Sequence, residues 1–179
     1  MLDRKVEDLK VLFSKEQIEA RTKEIAVQIN KDMGFKDDLT LICVLKGSSI
    51  FCCDLSKHLK MPVKMEFIRV SSYGNAQTSS GNVQALDLTL PNLENENVLI
   101  VEDIIDTGCT MKFLTELLER THKPKNLKIV TLLNKKIARK VDLEPDYYGF
   151  EIDDKFVVGY GLDYEGYMRN IPYVGYFEQ

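Results

Sequence analysis

The chain reads as an α/β protein with a central, mostly parallel sheet flanked by helices. Two observations predict this. Apolar runs that suit buried strands alternate with stretches of helical periodicity, which argues for a parallel sheet covered on both faces. No repeat or linker interrupts the 179 residues, so residues 1–179 are expected to form one domain with a substantial core.

The elements follow in order. In "VLFSKEQIEARTKEIAVQINKDMG", Ser14 and Gln17 have capping-box spacing, and Ile18, Ile25, Ile29 and Met33 recur at helical intervals up to a stop at Gly34. "LTLICVL" is a buried strand, followed by the turn "KGSS" and a helix through Phe51, Leu55 and Leu59. "VKMEFIRV" is the next strand. "VLIVED" is a third, "MKFLTELLER" a helix with Phe113, Leu114, Leu117 and Leu118 on one side, "LKIVTLL" a fourth strand and "FVVGYGLDY" a later one. Between strands, Ser71 to Gln84, "SSYGNAQTSSGNVQ", is long and polar for a connection, as functional lids are. Tyr73 argues against an idle tip, because an aromatic among small polar residues needs something to cover.

Composition narrows the function. Hydrophobic residues make up 44% and charged residues 29%, ordinary for a soluble globular protein. A net charge of -4 offers no global field for nucleic acid or an anionic membrane, so any anionic ligand depends on local groups. Cys43, Cys52, Cys53 and Cys109 show no CxxC spacing, and no signal peptide is evident, which points to a reducing cytoplasm. "LTLICVL" is too short to cross a bilayer. His58 and His122 stand apart without ligand-like neighbours and are expected at the surface.

The informative stretch is "VLIVEDIIDTGCT", Val98 to Thr110. Its apolar run ends in Glu102 and Asp103, Asp106 follows, and a Thr-Gly-Cys-Thr turn enters a helix. In open parallel sheets, ligands gather at the carboxyl ends of strands where strand order reverses. A helix start there offers free N–H groups and a positive dipole end for a phosphate. Gly108 lets the backbone approach closely, and Thr107 and Thr110 add hydroxyls. The acids would repel the phosphate unless they faced another part of the ligand; the donors of a ribose diol suit them. Phosphate plus diol makes a ribose 5-phosphate. A P-loop is excluded, because GxxxxGK[ST] is absent, and so is an aspartyl-phosphatase motif, because Asp103 and Asp106 are separated by two residues rather than one.

This segment resembles the signature of the type I phosphoribosyltransferases. The likeness extends through Lys46-Gly47, Ser72-Tyr73, Lys135, Phe156-Val157, Asp163 and Arg169, so most of the chain resembles the hypoxanthine–guanine phosphoribosyltransferases. The resemblance implies the type I phosphoribosyltransferase fold, with a mobile active-site loop and a small C-terminal hood. It implies transfer of phosphoribose from 5-phosphoribosyl 1-pyrophosphate to N9 of a 6-oxopurine, with Mg2+, releasing pyrophosphate. Asp106 is then the general base for the purine N7 proton. Glu102 and Asp103 hold the ribose hydroxyls, and Thr107, Gly108, Cys109 and Thr110 the 5′-phosphate. Lys46, Gly47 and Arg169 take the pyrophosphate, the Lys46–Gly47 peptide being a candidate for the cis form. Lys135, Phe156 and Val157 bind the purine, although periodicity alone places Phe156 and Val157 in a core strand. Ser72 and Tyr73 belong to the lid. Asp163, with Glu102 and Asp103, is expected at the metal. Cys109 fills a variable slot that supplies a backbone N–H, and no partner base marks it as a nucleophile.

The function expected is purine salvage, giving IMP and GMP in the cytoplasm, by a homodimer or homotetramer of a kind the family forms. No nucleic acid or membrane partner is expected. Transfer to xanthine or a pyrimidine is a second enzymatic reading. RNA-dependent gene regulation on the same fold is a third, but it calls for a basic face that a pI near 5.3 does not announce.

Overall fold

The computed structural model describes residues 4–34, 37–72, 83–87 and 90–178. After a turn of 3-10 helix, Val6–Asp8, come β1 (Leu9–Phe13) and α1 (Lys15–Met33). Val11–Phe13, ahead of the Ser14 cap, are extended because β1 pairs antiparallel with β9 (Val174–Phe177) from the far end of the sequence. The capping box of α1 forms as its residues require. The Gln17 N–H donates to Ser14 Oγ (3.3 Å) and the Ser14 N–H to Gln17 Oε1 (2.8 Å). Gly34 ends the helix at φ +73, where a side chain would be strained.

The main sheet contains β2 (Leu39–Leu45), β3 (Val63–Ser72), β4 (Val83–Asp87), β5 (Asn97–Ile105), β6 (Asn126–Asn134) and β7 (Tyr147–Glu151), with α2 (Ser49–Ser56) and α3 (Cys109–His122) packed on it. Its order is β4-β3-β2-β5-β6-β7. Every pairing is parallel except that of β4, which lies antiparallel on β3 at the edge. Both faces are covered, as the apolar runs predicted. Leu41, Cys43, Leu99 and Val101 pack with Ile25, Ile29, Phe51 and Leu55 on the α1–α2 side. Ile42, Val44, Val98 and Ile100 pack with Met111, Leu114 and Leu118 of α3 on the other. Each such side chain contributes roughly 1.5–3 kcal/mol when fully removed from water.

Several local expectations change under tertiary constraint. The buried stripe of α3 is Met111, Leu114 and Leu118, while Phe113 and Leu117 are only partly covered. The ends of the Ser71–Gln84 segment form a hairpin ladder, with Ser72 paired to Val83. Tyr73 lies outside the described residues. The sequence of β7, "YYGFE", does not alternate apolar with polar residues; it joins the sheet where Gly149 admits the Leu132 carbonyl, which a Cβ would meet at 2.4 Å. His58 and His122 are partly buried rather than fully at the surface.

"FVVGYGLDY" adds no strand to the main sheet. Only Val157–Val158 is extended (β8), and it completes a separate antiparallel sheet, β1-β9-β8. Gly159 and Gly161, both at positive φ, turn the chain back before a longer strand can form. This small sheet, with Leu9, Val158, Met168, Ile171 and Phe177 packed around it, is the hood above the main sheet.

Ile25 is fully buried on α1. Ile25→Ala is expected to cost about 2–5 kcal/mol through lost contacts and the cavity left behind, measurable by urea unfolding.

Candidate active site

Strand order reverses between β2 and β5: β3 lies beyond β2 on one side, and β6 and β7 lie beyond β5 on the other. The turns after β2 and β5 therefore border a crevice at the carboxyl end of the sheet. The β2 turn is tightly tied down. Ser48 is fully buried and donates to the Val44 carbonyl (2.7 Å), and Ser49 Oγ donates to the Lys46 carbonyl (2.8 Å). The cis peptide here is Leu45–Lys46, one bond before the expected Lys46–Gly47. The Lys46 side chain is exposed at the crevice edge.

Gly47 has no room for a side chain. A Cβ there would fall 1.5 Å from Asp103 Oδ2. Gly161, at φ +103, is equally constrained, since its Cβ would lie 2.0 Å from the Gly47 carbonyl oxygen. The β2 turn thus meets the Asp103 side chain of β5 and the hood backbone at the same residue, Gly47. Gly161 was not among the expected site residues; its only sequence signal was a second glycine in "VGYGLDY".

Glu102 and Asp103 end the apolar part of β5. Glu102 is 8% exposed, and burial, followed by the adjacent Asp103 charge, pushes its carboxyl well above the usual carboxylate range. The Asp103 N–H donates to Glu102 Oε1 (3.0 Å), and the Ile104 N–H donates to Asp103 Oδ1 (2.8 Å). Asp106 is exposed beyond them. Gly108, at φ +81, then caps α3, which starts at Cys109 rather than Met111. The Cys109 N–H donates to Thr107 Oγ1 (3.3 Å), and the first turn of α3 carries no acid. An anion at this helix start would meet free N–H groups and no competing carboxylate in that turn.

On the other flank, the Lys135 N–H donates to the Ile105 carbonyl (3.0 Å), which ties the end of β6 to the end of β5. Lys135 Nζ pairs with Asp154 Oδ1 at 2.6 Å; the lysine side chain is 12% exposed, the aspartate 80%. Asp154 was missed by the sequence reading, where it is one acid in an ordinary polar turn. Phe156 is 62% exposed, unlike the core-strand place that periodicity alone would give it, and its ring meets Tyr164 edge-on at 6.1 Å. Val157 is buried, with its backbone in the hood sheet. Asp163 and Arg169 hold each other in a close ion pair, while Arg169 Nη1 donates to the Gly161 carbonyl (2.6 Å) and the Gly166 N–H to Asp163 Oδ2 (2.7 Å). The Ser72 backbone ends β3 on the edge side of the sheet.

Residues 9–165 match the family model described as the phosphoribosyl transferase domain. The chain belongs to the phosphoribosyltransferase family. This phosphoribosyltransferase is 46% identical over 167 residues to the hypoxanthine-guanine phosphoribosyltransferase of Bacillus subtilis, covering 93% of this chain and 91% of that one. It is similar to the crystal structure of a hypoxanthine phosphoribosyltransferase from Staphylococcus aureus, with TM-score 0.90 and 43% identity, over 96% of this chain and 93% of that one. A hypoxanthine-guanine phosphoribosyltransferase from Bacillus anthracis gives TM-score 0.88 and 44% identity, over 94% and 98% of the two chains.

Two outcomes are expected at this site. Gly47→Ala should leave the chain folded but abolish measurable transferase turnover, because the β2 turn must move off Asp103; near-normal turnover in a folded variant would refute the close approach. Glu102 keeps its proton in the folded chain above the pH at which it loses it when unfolded. Its favourable contribution is therefore complete below the ordinary carboxylate range and is lost as pH rises through the raised folded value. Glu102→Gln is expected to melt above the wild type at neutral pH, with the gap closing in acid, as thermal melts across pH would show.

Proposed function

We propose that this phosphoribosyltransferase transfers the phosphoribosyl group of 5-phosphoribosyl 1-pyrophosphate to N9 of hypoxanthine and of guanine, in purine salvage, giving IMP and GMP. The observation that carries this is the placement of the Glu102–Asp103 pair beside an acid-free helix start, at the switch point between β2 and β5. The names of the relatives support it.

In this reading the bond from C1 to pyrophosphate breaks as N9 bonds to C1, and positive charge builds on the sugar. Glu102 and Asp103 accept the ribose hydroxyls, whose donors favour the ionised carboxylates, and these stabilise that charge. The Thr107–Thr110 turn, including the Gly108 and Cys109 backbone, holds the 5′-phosphate. Asp106, exposed and free to reach the base, takes the N7 proton. Lys46, the Gly47 backbone and Arg169 receive the pyrophosphate, for which Arg169 must leave Asp163. Lys135 donates to the 6-oxo oxygen, Phe156 stacks on the purine, the Val157 backbone reads its edge, and Ser72 and Tyr73 lie in the lid. An amino group in place of the oxo group would set donor against donor at Lys135, which disfavours adenine.

Mg2+ fits this donor set. The oxygens of Asp163, Glu102 and Asp103 are hard ligands, but among the described residues no three His, Cys, Asp or Glu side chains are assembled to hold a metal. That suits an ion that takes few protein ligands and keeps waters and substrate oxygens. When bound, it would neutralise the departing pyrophosphate. We further propose a cytoplasmic enzyme acting as one domain over 1–179, in a homodimer or homotetramer, with neither nucleic acid nor membrane as partner. The free cysteines accord with a reducing compartment, and among the described residues no helix is long and apolar enough to cross a membrane.

The test is a spectrophotometric assay with 5-phosphoribosyl 1-pyrophosphate, Mg2+ and each purine in turn. Hypoxanthine and guanine should turn over and adenine should not. Asp106→Asn should lower kcat by about two to four orders of magnitude while changing the phosphoribosyl substrate's KM far less. Turnover of no purine would defeat the assignment.

A further inference from the structure

Arg139 lies in the basic run "NKKIARK", where a solvated charge would be expected. The structure instead sets it against the turn that enters α3, with two of its three guanidinium nitrogens shut off from solvent. A Cβ at Gly108 would come within 2.9 Å of Arg139 Cδ and 3.1 Å of Nη1. The next residue is also tied to the turn, its N–H donating to the Thr107 carbonyl at 2.9 Å. Nη2 donates to Asn134 Oδ1. Nε and Nη1 are shut off from solvent and have no hydrogen-bond partner among the described residues. Asn134 is itself fully buried and donates to Glu144 Oε2 (3.3 Å), so that carboxylate is connected to Arg139 only through a neutral amide.

A guanidinium does not deprotonate in proteins, so it cannot escape burial by neutralising itself. A buried charge without a counter-ion destabilises the fold that holds it. We infer that Arg139 is a positioning residue for phosphate binding: its charge, set against the back of the Thr107–Thr110 turn, is balanced when a phosphate occupies the front. The inference rests on the proposed phosphate role of that turn. It adds that the turn's affinity comes from a fixed cation behind one layer of backbone as well as from its N–H groups. A merely structural arginine would instead support the turn through its stem and the Asn134 bond, indifferent to the ligand's charge.

The test compares the affinities of IMP and inosine, measured by calorimetry on the wild type, Arg139→Met and Arg139→Lys. The preference for IMP over inosine should fall by about tenfold in Arg139→Met, with inosine affinity little changed, and recover largely in Arg139→Lys. Asn134→Asp supplies a second arm that keeps the arginine: a carboxylate on Nη2 would neutralise it from within, and the same preference should fall. A preference unchanged in Arg139→Met, or in Asn134→Asp should the first variant not fold, would overturn the inference. A wild type that binds IMP no better than inosine would overturn the phosphate turn itself, and this inference with it.

Discussion

The Asp103 carboxylate and the Gly47 backbone occupy one small space, and Gly161 of the hood closes on the same point. A single methyl group at either glycine would collide with its neighbour, at 1.5 Å and 2.0 Å. This contact fixes the height of the hood above the sheet, because Gly161 also holds Arg169 through both its N–H and its carbonyl. The turn after β2, Asp103 of β5 and Arg169 of the hood are therefore linked through these contacts. Repositioning any of them would disturb all three.

Charge is arranged around that contact in local pairs. Lys135 is held by Asp154 and Arg169 by Asp163, so two cations assigned to substrate already have partners. Glu102 is buried beside Asp103 in a position that disfavours its ionised form. A substrate bringing both phosphates and hydroxyl donors can exchange with the partners of those cations and give Glu102 donors that favour its ionised form. Arg139 differs, since two of its buried donors have no partner within the described fold. Stability here yields to function at identifiable residues, as expected where a site must hold charge ready for a ligand.

Much of the fold was legible because local patterns and burial agree. The Ser14–Gln17 cap, the isoleucine stripe of α1 and the apolar runs of β2 and β5 each declare one environment, and each is found there. β1 and β7 were not legible. β1 exists because a strand from the other end of the chain pairs with it, and β7 because a glycine lets it lie against β6. Neither cause has a local period. Periodicity alone could not place Phe156, because an aromatic beside two valines has the same pattern whether it faces the core or solvent.

By itself the sequence determined the parallel α/β class, the acidic strand end and the glycine-capped helix start beside it, because those depend on residues adjacent in the chain. Only the tertiary structure decided which distant groups meet them. The approach of Gly161 to Gly47, the partners of Lys135 and Arg169, and the burial of Arg139 behind Gly108 join segments that share no period and no spacing. The physical reason is packing: side-chain volume and backbone clearance across the crevice, which no one-dimensional pattern records, select these encounters.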